Sequence, residues 1–391
     1  MERMEIFVQK KDTETLLVIG NGFDIAHGLK TSYKDFLNFI DIVEAWNHEY
    51  KRKYPSEPIV ALTALKAFAQ GKYLSKDEQE NIESYNVNDE EDQKIRCCSE
   101  FNNGELVAWN NILKETKSNL WLNYFQEKLK EQSIRGERWV DFESEIAYIV
   151  RILEQENETL VQHTHGNISS IKNFLREHNA NKIALPEKKR EFIKQLEGDL
   201  IDLKKMMEFY FLLVDRLSPC EPLNIVQKIK PDYLLSFNYT HTFNRTYSTG
   251  AEKIQDNDIE FIHGEAGRNN LILGTEETLA EKRSSQDVSC ICFKKYFQRI
   301  YERTGLKYKD WISRAGNRKR VCIFGHSLDI TDRDVLGFII THNNSKSIEI
   351  YYYSEEHYRQ EIENLVKVIG KDTLIQAVGE RKIQFIDQRK D

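Results

Sequence analysis

Five short, mainly apolar runs constrain the fold of this chain more than any other feature. They are Leu16–Gly20, Tyr233–Phe237, Ile259–Ile262, Val321–Phe324 and Ile348–Tyr353. A strand with one solvated face alternates apolar and polar residues. Runs this dense suit strands buried on both faces, as in the centre of a parallel sheet. Each is followed by polar or glycine-containing residues and then often by a helical pattern. That succession predicts β-α units and a doubly wound α/β sheet.

More than 200 residues separate the first run from the second, and their reading is mainly helical. Ser32 and Asp35 have the spacing of a capping box. The best helix lies near 187–217, with Pro186 in its first turn. Leu196, Leu200, Leu203, Met207, Tyr210, Val214 and Leu217 form one apolar stripe on it. We expect the stripe to pack inside a helical domain; the alternative is a coiled-coil or oligomer face. Residues 74–100 are acid-rich and read as an exposed loop or a solvated helix. The expected division is a discontinuous sheet domain, 1–45 with 225–391, and a mainly helical insertion or cap, 46–224.

Composition excludes several classes. Forty per cent of residues are hydrophobic, enough for a core, so wholesale disorder is excluded. The longest apolar runs fall far short of the roughly 20 residues that a membrane helix needs, and the N-terminus lacks a secretory apolar region, so a cytoplasmic protein is expected. Lys plus Arg is 56 against 63 Asp plus Glu, a net charge of −7, which offers no broad nucleic-acid surface. The six cysteines show no CxxC pair, which argues against a zinc ribbon and predicts reduced thiols.

Four strand ends carry the candidate chemistry. The first run leads into Gly20-Asn21-Gly22-Phe23-Asp24, with Gly28 beyond. Glycines here allow a sharp turn and a close backbone approach to a ligand, and the following helix start offers peptide N–H groups to a phosphate. Asp24 could cap a helix or meet a ligand hydroxyl. The second run ends in Asn238, the third in His263-Gly264, the fourth in Gly325-His326-Ser327. All would lie at carboxyl ends of parallel strands, where open α/β sheets place ligands. Asp332 and Asp334 are expected to cap the next helix. Asp141, Glu143 and Glu145 read as a first-turn charge cluster, with Asp141 and Glu145 on one helix face and Glu143 elsewhere. No metal site is expected.

These segments carry a resemblance. GNGFDIAHGLKTSYKDF, SFNYT and IHG followed by LILG, together with Trp139–Glu143, resemble the AbiH family of bacterial abortive-infection, anti-phage proteins. The same order of motifs is distantly similar to sirtuin-like NAD-binding domains. Gly20–Asp24 sits where sirtuins carry Gly-Ala-Gly-Ile-Ser, with Asp24 in place of the serine. Phe237–Thr240 resembles their Gln-Asn-Ile-Asp segment, His263-Gly264 their His-Gly pair, and Gly325-His326-Ser327 their Gly-Thr-Ser turn. The resemblance implies a Rossmann-like, sirtuin-like sheet flanked by helices. Because the zinc ribbon of deacylases is missing, it implies hydrolysis of NAD(+) to nicotinamide and ADP-ribose, arresting or killing the infected cell.

On that reading Asn238 and His263 are catalytic. Asn238 orients the ribose hydroxyls and the attacking water, and His263 accepts a proton. Gly20, Asn21, Gly22, Phe23, Asp24, Gly28, Gly325, His326 and Ser327 bind the dinucleotide. His326 is the alternative base, and His241 also lies beside the motifs. The implied partners are NAD(+) or a related nucleotide and a phage-derived trigger; self-association stays open. A module that senses NAD or ADP-ribose without turnover, an ADP-ribosyltransferase and a nuclease are the competing functions.

Overall fold

The computed structural model describes residues 13–41, 44, 116–134, 140–155, 170–179, 186–218, 220–248, 253–276, 288–314 and 318–389. The 74–100 stretch, Cys97, Cys98 and Trp139 lie outside them. Six parallel strands form one sheet in the order β3-β2-β1-β4-β5-β6. They are β1 (Thr13–Ile19), β2 (Tyr233–Ser236), β3 (Ile259–Phe261), β4 (Arg318–Phe324), β5 (Ser345–Tyr352) and β6 (Ile383–Asp387). From β1 the chain winds outward through β2 to β3, then returns to the other side of β1 with β4. The crevice between β1 and β4 is the topological switch point, the place where such sheets bind ligands.

Register brings the strand ends level. Ile19 lies opposite Ser236 on one side and Phe324 on the other, and Ser236 lies opposite Phe261. Gly20, Phe237, Ile262 and Gly325 therefore leave the sheet together. Both faces are buried, as the dense apolar runs require. Leu16, Val18, Leu235, Val321 and Ile323 pack on one face against Trp311, Val335, Leu336 and Leu365. Leu17, Ile19, Leu234 and Phe324 pack on the other against Phe23, Val226 and Phe243.

A third core belongs to the helices. Pro186–Leu217 is one helix, and Leu196, Leu200, Leu203, Met207, Tyr210 and Val214 of its stripe are buried inside the chain. Asp35 N–H donates to Ser32 Oγ at 3.1 Å and Ser32 N–H to Asp35 Oδ2 at 3.2 Å, closing the capping box at the start of helical residues 33–41. This core also takes in Tyr239, Leu271, Leu273 and Phe293, which follow β2 and β3 in sequence. The packing thus joins the segment after β3 to the helical block. Phe142 stacks on Phe125 at 3.9 Å and on Tyr33 at 4.3 Å, which fixes the start of helix Phe142–Gln155 beside the sheet. No helix among the described residues is long and apolar enough to cross a membrane.

Candidate functional site

The turns after β1 and β4 pack backbone to backbone. Gly20 N–H donates to Phe324 O at 3.2 Å, Gly22 N–H to Gly325 O at 2.7 Å, and Phe23 N–H to Gly20 O at 2.8 Å. A Cβ on Gly22 would lie 2.8 Å from Gly325 Cα, and one on Gly325, at φ +65°, would lie 2.1 Å from Phe23 N. These glycines were expected to bring backbone close to a phosphate. Their close approach is to each other, and these three amides already have carbonyl partners. The Phe23 ring is fully buried against His27, Phe243, Tyr247 and Phe324, as part of the core. Asn21 and Ser327 are exposed; Asn21 Oδ1 accepts from Thr31, and Ser327 O accepts from Asn364. Gly28, at φ +79°, ends the short helix Asn21–Ala26.

Beneath the turn lies a carboxylate beside a carboxamide. Asp24 is buried; its Oδ2 accepts from Thr240 Oγ1 at 2.5 Å, and its Oδ1 has no partner. Burial pushes the Asp24 carboxyl up to about 6, against the opposing pull of Thr240, Thr242 and the neighbouring Asn238. Asn238 is 5% exposed; its carboxamide lies near enough to Asp24 to lower that carboxyl, yet neither its Nδ2 nor its Oδ1 reaches full hydrogen-bond geometry. A buried polar group left unmade costs about 1–3 kcal/mol. Two adjacent groups in that state, at the carboxyl ends of β1 and β2, are what a bound polar ligand would satisfy.

Phe237 and Tyr239, which flank Asn238 in sequence, meet a second buried cluster. The Phe237 ring stands edge-on to His326 at 4.3 Å and to His263 at 5.3 Å. Both histidines face Asp332. His263 Nε2 is 2.9 Å from Asp332 Oδ1, and His326 Nε2 is 3.6 Å from Asp332 Oδ2. His326 Nδ1 accepts from Leu328 N–H at 2.9 Å, so its ring proton is on Nε2. At the centre sits Lys295, fully buried on helix Lys295–Glu302. Its Nζ donates to Asp332 Oδ1 and to Glu143 Oε2, both at 2.8 Å, and lies 3.4 Å from His263 Nε2.

The charges in this cluster follow from burial and pairing. Burial and the Lys295 ammonium hold His263 below its ordinary 6.5, against the pull of Asp332. Burial drives His326 further, to about 4, also against Asp332. Both rings are therefore neutral at pH 7. Burial works against ionisation of Asp332, but Lys295 and His263 hold its carboxyl well below 3.8. Burial opposes the charge on Lys295 as well, and Asp332 and Glu143 outweigh it and raise its basicity. Burial raises Glu143, against the pull of Lys295. With Asp332 ionised, His263 carries its proton on Nε2 and presents Nδ1 as an acceptor. That is a base oriented by a carboxylate, the arrangement general-base catalysis uses.

One sequence expectation is corrected here. Asp332 precedes helix Arg333–Thr341 but makes no side-chain cap; its carboxylate turns to the histidines and Lys295. Asp334 lies in the first turn of that helix as expected, where its Oδ1 accepts from Val335 N–H at 2.8 Å, and its Oδ2 pairs with Arg299 at 2.9 Å. The Asp141–Glu145 cluster divides: Asp141 caps the helix through Glu143 N–H and Ser144 N–H, Glu145 meets Tyr124 and Lys128, and Glu143 enters the site. Lys295 carried no sequence signal, because a lysine beside another lysine in an amphipathic segment reads as surface. His241 lies outside the cluster. Although burial opposes it, Asp215 and Glu265 raise His241 to about 9, a charged clamp between the long helix and the segment after β3. No group of three His, Cys, Asp or Glu among the described residues has a geometry for a metal ion.

Comparison with curated proteins and with solved structures gave no match. A family match covers residues 16–354, from β1 past the end of β5, and so includes every residue of the site described above. The chain therefore belongs to the AbiH family, described as bacteriophage abortive infection.

Proposed function

We propose that the chain hydrolyses NAD(+) to nicotinamide and ADP-ribose, and that loss of NAD arrests or kills the phage-infected cell. The observation that carries this reading is the pair of unpartnered groups, Asn238 and Asp24 Oδ1, buried past the carboxyl ends of β2 and β1, with the Asp332-oriented His263 past the end of β3. A ribose offers what that pair lacks. Its vicinal hydroxyls donate to the Asp24 carboxylate and exchange hydrogen bonds with the Asn238 carboxamide. Asp24 disfavours a diphosphate at the same spot, so the nicotinamide ribose, rather than the diphosphate, belongs there.

The reaction is a substitution at the ribose C1′. A water oxygen bonds to C1′ as the C1′–N bond breaks. The bonding pair returns to the pyridinium nitrogen and neutral nicotinamide leaves. The water proton passes to His263 Nδ1, and Asp332 steadies the imidazolium that forms. The Asp24 carboxylate, close to the oxocarbenium-like centre, favours the positive charge that develops there. Lys295 keeps Asp332 ionised and in place.

Purified protein incubated with NAD(+), with and without phage lysate, is expected to release nicotinamide and ADP-ribose in a chromatographic assay. Asn238→Ala and His263→Ala should each lower the rate by at least about 100-fold. Undiminished release by both variants would refute the assignment, and tight NAD binding with no release under any condition would point to a sensing module.

A further inference from the structure

We infer that Glu143 is a positioning residue for His263, acting through Lys295, so that the helical block completes the site on the sheet. The inference rests on the catalytic reading of His263 given above. Its ground is the path of contacts. Glu143 lies on helix Phe142–Gln155, whose first residues are locked into the helical core by Phe142 between Phe125 and Tyr33. From there the carboxylate reaches Lys295 Nζ at 2.8 Å, and Lys295 reaches Asp332 at 2.8 Å. Asp332 in turn holds His263 at 2.9 Å. Every member of this chain is buried, so solvent does not screen it.

The geometry makes Lys295 a shared cation. Its Nζ has two carboxylate acceptors and is already 3.4 Å from His263 Nε2. With Glu143 in place, the ammonium divides between Glu143 Oε2 and Asp332 Oδ1, and Asp332 Oδ1 remains an acceptor for His263. Without Glu143, the ammonium turns wholly to Asp332 and competes with the imidazole for the same oxygen. His263 then loses its orientation and part of its basicity. The groups that bear on His263 are Asp332 and, as cations, Lys295 and Arg299; those that bear on Glu143 are Lys295, Asp332 and Asp141.

The test follows the His263 imidazole by NMR titration in the full chain, a readout that needs no turnover. Relative to the parent, Glu143→Ala is expected to move the His263 midpoint down by about half a pH unit or more, because Lys295 is left without its second acceptor. Lys295→Met removes the cation and is expected to move it up. Glu143→Gln keeps an acceptor for Lys295 and should restore the parent midpoint. In the NAD assay, Glu143→Ala should lose about tenfold or more in kcat with KM unchanged. Should Glu143→Ala not fold, Glu143→Met fills the volume without an acceptor and carries the same expectation. Equal midpoints in all variants, or Glu143→Ala and Lys295→Met moving the same way, would overturn the inference. If the parent releases no nicotinamide, the NAD reading fails while the opposed midpoint shifts still decide the role of Glu143.

Discussion

Replacing Lys295 by Met removes a cation that bridges Asp332 and Glu143 and keeps most of the side-chain volume. Lys295 is fully buried and makes a 2.8 Å hydrogen bond to each carboxylate. Breaking a buried pair by removing one partner costs about 3–5 kcal/mol. Unfolding entropy near 2.1 cal/mol/K per residue gives about 0.8 kcal/mol/K for 391 residues, so the loss corresponds to a Tm lowered by about 4–6 °C. Part of the strain is relieved by protonation of Glu143, whose carboxyl burial already raises. The double variant Glu143→Gln with Lys295→Met should therefore recover at least about 1 kcal/mol. The pH dependence has a definite sign. Asp332 is depressed in the folded chain, so its contribution is present above 3.8 and is lost as the pH falls toward the depressed value. In Lys295→Met that depression goes, Asp332 can take up a proton at milder acidity, and the Tm gap to the parent narrows between pH 7.5 and pH 5. Scanning calorimetry of the two proteins at both pH values is the assay. A loss below about 1 °C, or a gap that does not narrow, would show that the ion pairs do not carry the site.

Because His263 is held below 6.5 by burial and Lys295, the acid limb of the pH–rate profile should lie below 6.5 and move upward in Lys295→Met; a parent limb above 6.5 would argue for a different base. Gly325→Ala should destabilise more than Gly28→Ala in urea titrations: both adopt positive φ, about 1–2 kcal/mol for alanine, but a Cβ on Gly325 also meets Phe23 N at 2.1 Å whereas Gly28 has open space. Asp24→Asn should stabilise the chain at pH 8 by up to about 3 kcal/mol, since the folded carboxyl at about 6 lies above 3.8 and its ionisation weakens the fold as the pH rises through 6. The same substitution should weaken dinucleotide binding in calorimetric titrations; tighter binding would remove Asp24 from the site.

The central strands were legible because burial on both faces leaves a dense apolar signature, visible at Leu16–Ile19 and Val321–Phe324. β6 was not, since IQFID at the sheet edge alternates and is partly exposed. The strand-end candidates Asn238, His263 and His326 were legible for a related reason: parallel register places successive strand ends side by side. Glu143 and Lys295 are 152 residues apart in sequence, and tertiary packing alone joins them. Asp332 looked like a helix cap because its position fits one; two histidines and a lysine nearby gave its carboxylate better partners. The glycine turns show that backbone approaches them closely, and a glycine by itself leaves open whether a ligand does as well.

The most direct test of the account is a crystal structure with a non-hydrolysable NAD analogue, such as the carbocyclic form, bound to the chain. The account predicts that the nicotinamide ribose satisfies both Asn238 and Asp24 Oδ1, with His263 Nδ1 facing C1′. A dinucleotide bound elsewhere, with Asn238 still unpartnered, would contradict it.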